Sequence, residues 1–301
     1  MKVLITGATG LVGNELSNLL LQNGVTVHYL STSKSKLVSE SNYKGFYWNP
    51  NAGEIDKNAL DEVDVIVHLA GASVSERWTA SYKEEIINSR VLSTRLLFQT
   101  LSKNQNQVKH VISASAIGIY PSSYDVVYSE DNQGVDASFL GEVVQQWEEE
   151  VDQFERLGIL ISKVRTGIVL AEEGGALQKM AKPIKLGLGA AFGTGKQYQS
   201  WIHNHDLASL YYYIILHKLE GIYNAVSPYP VTNEGLTKAI AKTLSAPYFM
   251  PNIPKFLLKI VLGEMHQILF TSQNVSARKI LEKGFQFKYA SLDKALQDLL
   301  T

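Results

Sequence analysis

The stretch "KVLITGATGLVGNELSNLLLQNG" (2–24) runs from a β-branched, apolar strand directly into glycines at Gly7, Gly10 and Gly13, then into an apolar-periodic helix closed by Gly24. No other segment narrows the fold as far. Glycines at this spacing permit a tight strand-to-helix turn and close approach of another group to the backbone, while the helix start offers free N–H groups and a partial positive charge. Such a turn suits a pyrophosphate, and a strand before it and a helix after it supply the context the spacing needs. The competing reading is a plain βα turn. Thr6, Thr9, Leu11 and Val12 belong to the same loop and are expected to contribute to the site.

Further short apolar runs, "VTVHYL", "VDVIVHLAG", "HVISASA" and "LISKVRTGIVL", alternate with segments whose apolar spacing is near 3.6. That alternation predicts an α/β, Rossmann-type doubly wound parallel sheet with helices on both faces. The expected division is a dinucleotide-binding domain over 1–170, to which the chain returns around 195–227, and a substrate-side lobe over 171–301. The glycine-rich stretch "EEGGALQKMAKPIKLGLGAAFGTGKQ" is too long and too rich in helix breakers to be an ordinary connection. A small C-terminal domain is expected over 250–298, with two helical patterns and a short "FQFKY" strand.

Charge and composition exclude several classes. With 28 basic against 29 acidic residues in 301, and no long run of either sign, the chain has no general attraction for nucleic acid or anionic membranes. The absence of cysteine rules out disulfides, thiol nucleophiles and thiolate metal sites. "MKVLITGATG" does not read as a secretion signal, and "LASLYYYIILHKL" is too short for a bilayer span. A soluble, cytoplasmic protein is expected, as monomer or homodimer, with a small-molecule substrate.

The second strand ends in "HYLSTSKSKL", where an NAD-preferring site would place an acid to hold the ribose hydroxyls. Here Ser31, Thr32, Ser33 and Lys34 stand there, and no acid precedes Glu40. Hydroxyls and a cation tolerate a 2′-phosphate, so NADP is the expected cofactor and NAD the alternative.

The Thr6–Gly13 spacing, "DVIVHLAG" (64–71) and "ISASAIGIY" (112–120) together resemble the extended short-chain dehydrogenase and NAD(P)-dependent epimerase/dehydratase superfamily. "RWTASYKEEIINSRVLSTRLL" (77–97), "RTGIVLAEEGGAL" (165–177), "GTGKQYQSWIHNHDLA" (193–208) and the tail from 262 to 289 resemble one subgroup more narrowly. It is the atypical, epimerase-like group with a small C-terminal domain of unknown role, described as nucleoside-diphosphate-sugar epimerases. The resemblance spans essentially the whole chain. It implies that Gly7, Gly10 and Gly13 hold the pyrophosphate, that Leu69, Ala70 and Gly71 line the ribose side, and that Ser113, Ala114 and Ser115 lie under the nicotinamide. Ser115 matches the serine that orients a substrate oxygen in active relatives; a small packing residue at a strand end is the alternative. His68 reads as a core histidine.

Active relatives also carry a tyrosine and, four residues on, a lysine on the helix that here reads "FLGEVVQQWEEEV" (139–151). The pairs available are Phe139 with Val143 and Leu140 with Val144, and none of the fifteen tyrosines has a lysine four residues later. A second departure is Arg90, which replaces an asparagine and brings five donors and a permanent charge towards the cofactor or substrate. Tyr120 together with Ser115 is the substitute catalytic pair that the sequence offers. Arg77 could bind an anion and Trp78 stack on a ring, or cover the sheet as a rim aromatic; Gln197, Trp201 and His203 are substrate-side candidates. Asp206 is read as a helix cap, Glu148, Glu149 and Glu150 as a solvated face, and no metal site is assigned because His203 and His205 have no third ligand in sequence.

These observations favour an NADP-binding, epimerase-like oxidoreductase acting on a nucleotide sugar or other small polar molecule. The rival is a non-catalytic dinucleotide-binding protein with a sensor or regulatory role, which the missing dyad supports.

Overall fold

The computed structural model describes residues 1–301. Eight strands form the main sheet: β1 (Lys2–Thr6), β2 (Thr26–Ser31), β3 (Tyr43–Asn49), β4 (Glu54–Ile55), β5 (Val65–His68), β6 (His110–Ala116), β7 (Leu160–Thr166) and β8 (Gly221–Ala225). They lie in the order β8-β7-β6-β5-β1-β2-β3-β4 and are parallel except for the β3–β4 edge pair. The order reverses after β1, which opens a crevice at the carboxyl ends of β1 and β5. The helices are α1 (Leu11–Gln22), α2 (Ala80–Lys103), α3 (Phe139–Asp152), α4 (Gly175–Lys185), α5 (Asn204–His217), α6 (Asn233–Thr243), α7 (Lys255–Leu262), α8 (Arg278–Glu282) and α9 (Leu292–Leu300).

Alternation along β1 divides the core. Val3 and Ile5 join Leu16 and Leu20 of α1 and Tyr211 and Ile214 of α5 on one face, while Leu4 joins Leu97 of α2 and Trp147 and Val151 of α3 on the other. Both faces are covered, so the strands are apolar nearly throughout. A third cluster holds the remaining lobe together, with Leu177 and Ala181 of α4, Leu236 of α6, Leu296 and Leu299 of α9, and Trp201 at its centre. None of the helices is long and apolar enough to cross a membrane.

Beyond Gly167 the run "LISKVRTGIVL" leaves the main sheet, and Ile168–Leu170 pairs with Trp201–His203 in a separate two-stranded sheet. A Cβ on Gly167 would lie 2.4 Å from the Ser200 carbonyl oxygen, so this exit requires glycine. "FQFKY" is not a strand. The backbone N–H groups of Lys288 and Tyr289 donate to the Asp206 carboxylate at 2.9 Å each, which replaces ladder hydrogen bonds and fixes the segment against α5. Asp206 therefore does not cap α5; His203 does, its Nδ1 accepting the His205 N–H at 3.0 Å.

Trp201 is fully buried and its Nε1 donates to the Tyr229 carbonyl. Trp201→Ala is expected to destabilise the fold by about 3–5 kcal/mol, read as a lower urea midpoint. A variant of unchanged stability would mean that this side chain does not organise the lobe.

Candidate functional site

At the end of β1 the chain turns through Gly7, which has a left-handed φ of 73°, into α1. A Cβ on Gly13 would fall 2.2 Å from the Gly7 carbonyl oxygen, and one on Gly7 would press on the backbone of Leu69 and Ala70 at 3.1 Å. Gly10 occupies the N-cap position with extended backbone and no side chain caps the helix, leaving the first-turn amides for an anion. The loop is held to β5 by Thr6. Its Oγ1 accepts the N–H groups of Leu69 and Ala70 at 3.1 and 3.0 Å and lies 2.7 Å from Nδ1 of His68. Since that hydroxyl donates to Nδ1, His68 carries its proton on Nε2, which faces Thr94 Oγ1 at 3.0 Å. Burial lowers the His68 pKa to about 3, so it is a neutral core histidine.

A cavity of about 660 Å³, a size typical of small-molecule sites, opens from this loop over the carboxyl ends of β1, β5 and β6. Gly7, Gly10, Leu11, Val12 and Gly13 line one side, Leu69, Gly71 and Arg90 the next, and Ala114 and Ser115 the floor. Thr9, within the loop, lines the adjoining cleft, Ala70 donates its N–H to Thr6, and Ser113 turns inward, its hydroxyl on the Ala114 carbonyl. Beside β2, Ser31 Oγ accepts the Ser33 N–H at 3.2 Å, Thr32 is exposed, and Lys34 Nζ stands 4.9 Å above the Tyr47 ring.

Arg90 lies beneath Gly71, where an added Cβ would meet its Cζ at 3.1 Å. Its Nη1 donates to the Ile86 carbonyl at 2.9 Å, its Nη2 to the Ala72 carbonyl at 3.1 Å, and the guanidinium sits over the Trp147 ring. Burial lowers its pKa to about 10, which leaves it charged near neutrality. The charge is at the cavity wall, but two of its donors are already spent on carbonyls.

Of the three acids expected on a solvated face, Glu148 is the exception. It is buried, and its carboxylate accepts the Ser115 hydroxyl at 2.5 Å and both Nε and Nη2 of Arg165 at 2.9 and 2.8 Å. Burial alone would raise its pKa. The Arg165 guanidinium and the Ser115 hydroxyl outweigh that and hold it below the usual carboxylate range. Its helical spacing was the available signal: Glu148 shares a face with the buried Val144 and Val151, whereas Glu149 is exposed and Glu150 pairs with Arg95 on the surface.

Tyr120 does not reach the cavity. Its ring is fully buried and stacked on Tyr128; its hydroxyl donates to Asn224 Oδ1 at 2.8 Å and receives Arg165 Nη1 at 3.0 Å. It supports Arg165 from behind and cannot touch a substrate there. Three of the substrate-side candidates are likewise occupied. Trp78 packs edge-on to Phe139 with Nε1 on the Val74 carbonyl, Gln197 donates to the Phe192 and Leu269 carbonyls, and Trp201 is the core residue described above. Arg77 is exposed, outside the cavity lining. His203 is buried against Asp298 at 3.2 Å and stacked on Tyr289, in a separate cleft beyond the loop. The residues that do line the inner cavity are Leu140, Val144, Tyr198, Gln199 and Gln273. Leu140 and Val144 form an apolar wall.

Residues 3–137 match the NAD dependent epimerase/dehydratase family and residues 253–299 match a domain of unknown function, DUF1731. An epimerase family protein of Staphylococcus aureus is 33% identical over 99% of this chain and 98% of its own length. Among solved structures, the human epimerase family protein SDR39U1 (isoform 2) with NADPH superimposes with a TM-score of 0.86 at 28% identity, covering 99% of both chains. A nucleoside-diphosphate sugar epimerase from Corynebacterium glutamicum gives 0.79 at 29% identity, over 99% of this chain and 58% of that one.

The buried pair yields a prediction with a defined sign. Because the folded-state pKa of Glu148 lies below its unfolded value near 4.5, its contribution is present above that value and is lost as pH falls through the folded pKa. Glu148→Gln should cost about 3–5 kcal/mol at pH 7 by leaving Arg165 buried without its counter-charge. The gap to wild type should narrow as pH falls below 4.5; urea unfolding at pH 7 and in that acid range measures it, and a pH-independent gap would contradict the assignment. With its glycine loop, uncapped α1 and carboxyl-end crevice, this chain belongs to the NAD-dependent epimerase/dehydratase family and carries the DUF1731 domain at its C-terminal end.

Proposed function

We propose that the protein binds NADP(H) across the glycine loop and transfers hydride to or from a small polar substrate in the adjoining cavity. The observation that carries this reading is that the loop and Ser115 face one continuous cavity. The tight turn that glycine at position 13 permits against the Gly7 backbone, and the uncapped α1 amides, fit a pyrophosphate. Ser31 to Lys34, without a carboxylate, fit a 2′-phosphate, and the human relative was crystallised with NADPH. When bound, the dinucleotide supplies or accepts hydride at its nicotinamide ring.

Ser115 gives its own proton to Glu148, so its lone pairs are free for a substrate hydroxyl. As the alcohol is oxidised, Ser115 takes the substrate proton and passes its own to Glu148; reduction runs the path backwards and needs Glu148 protonated first, so it is favoured at low pH. Arg165, held by Tyr120, fixes the carboxylate and makes it a weak base. This relay replaces the tyrosine and lysine, whose places Leu140 and Val144 fill. The apolar wall also favours a second reading, a dinucleotide-binding protein without turnover. In that case NADPH binds but no carbonyl compound is reduced.

Calorimetry should show NADPH binding at least about tenfold tighter than NADH, ~1.4 kcal/mol, with Lys34→Glu removing most of the preference. Equal affinities would contradict the NADP assignment. In a screen of carbonyl compounds, Ser115→Ala should lower turnover by at least about 100-fold while NADPH affinity stays unchanged. Unchanged turnover would remove Ser115 from the chemistry.

A further inference from the structure

The inner end of the cavity holds a polar group that the protein itself does not satisfy. Gln199 is 8% exposed, lines the cavity, and its side-chain oxygen is buried with no hydrogen-bond partner. A buried amide atom without a partner carries a desolvation cost that a ligand or water removes. The neighbouring Gln273 is not in this position: its Nε2 donates to the Ile117 and Tyr120 carbonyls. Ser200 is also committed, to the Gln273 carbonyl.

The charges around Gln199 decide which ligands can reach it. Arg90 is the one cation lining the cavity, and it is clamped under Gly71 on the cofactor side. The one lining acid, Asp136, accepts the Ser122 and Ser138 N–H groups. Lys179 stands on Ser75, with Glu76 3.9 Å away, and Lys83 is paired with Glu264. The amino end of α4 touches the cavity at Gly175, but Glu172 and Glu173 precede it in the adjoining cleft. A substrate diphosphate would therefore enter a half-apolar space whose one lining cation, Arg90, is held beneath Gly71 by two carbonyls, at a large desolvation cost.

We propose that the substrate side of this cavity takes an uncharged molecule with an apolar body and a hydroxyl or amide group, read by Gln199, and not a nucleoside diphosphate or its sugar. A neutral carboxamide pairs with such a group through one donor and one acceptor, while the walls of Leu140, Val143, Val144 and Ile168 cover the rest. This inference rests on the dinucleotide reading, since it takes the loop side of the cavity as filled by the cofactor.

The test uses the full chain saturated with NADPH and three probes, followed by ligand-observed NMR: 3-hydroxybenzyl alcohol, 3-hydroxybenzoate and UDP-glucose. The neutral alcohol should bind at least about tenfold tighter than the benzoate, UDP-glucose should not displace it, and Gln199→Met should weaken the alcohol about fivefold. Specific UDP-glucose binding, a preference for the benzoate, or no binding of the alcohol at about 5 mM, weaker than a typical fragment contact, would overturn the proposal. An unchanged affinity in Gln199→Met would overturn the role of that residue. The wild-type selectivity stands alone if the variant does not fold. Failure of NADPH itself to bind sinks the dinucleotide reading and this one with it, whereas NADPH binding together with UDP-glucose binding sinks this one alone.

Discussion

The Glu148–Arg165 pair connects α3, the sheet and the cavity floor, and the arrangement around it depends on both charges being present. Without Glu148, Arg165 would be a buried cation with no acid beside it, and without Arg165 only the Lys163 ammonium, 3.7 Å from Oε2, would face the carboxylate. Together they form a bidentate contact that fixes the rotation of α3 against β7, aims the carboxylate at Ser115 on β6, and leaves one guanidinium nitrogen for Tyr120. From Tyr120 the chain of contacts continues to Asn224 on β8, whose backbone N–H donates to Glu130. Three adjacent strands and one helix are thus cross-linked by polar groups directly behind the cavity. The apolar residues around them exclude water and strengthen each of these interactions.

That network explains how a member of this family accommodates Leu140 and Val144. The tyrosine and lysine of active relatives would enter the cavity from α3; here that face is apolar and the polar residue is displaced two turns along the helix from Leu140, to Glu148. The helix still presents a carboxylate to the sheet, but it does so through Ser115 and from behind the strand. At rest the carboxylate held by arginine is charged, so Ser115 is polarised as an acceptor more than as a donor.

The glycine-loop side of the cavity was legible because its geometry is backbone geometry. Gly7, Gly10 and Gly13 are required by close approach and turn geometry, and these follow from local spacing. The strands followed from their apolar runs, and the sheet was readable because both faces are covered. The substrate half was not legible, since its residues come from separate segments whose side-chain directions depend on tertiary packing. Gln197, Trp201 and His203 read as pocket residues on polarity and aromaticity, yet every residue from Gln199 to His203 is buried because this strand pair is covered on both sides. Gln199, between them, was passed over. Glu148 was hidden in a run of three acids whose other two members are ordinary surface residues, and "FQFKY" lost its strand to a single carboxylate, Asp206.

One cavity joins the glycine loop to Ser115 and the carboxylate behind it. A crystal structure of the NADPH complex tests it directly. The nicotinamide ring should lie over Ala114 and Ser115, in contact with the Leu140–Val144 wall, with the Ser115–Glu148 hydrogen bond retained. A nicotinamide placed outside this cavity, or a Glu148 side chain released from Ser115 and Arg165 on binding, would contradict the account.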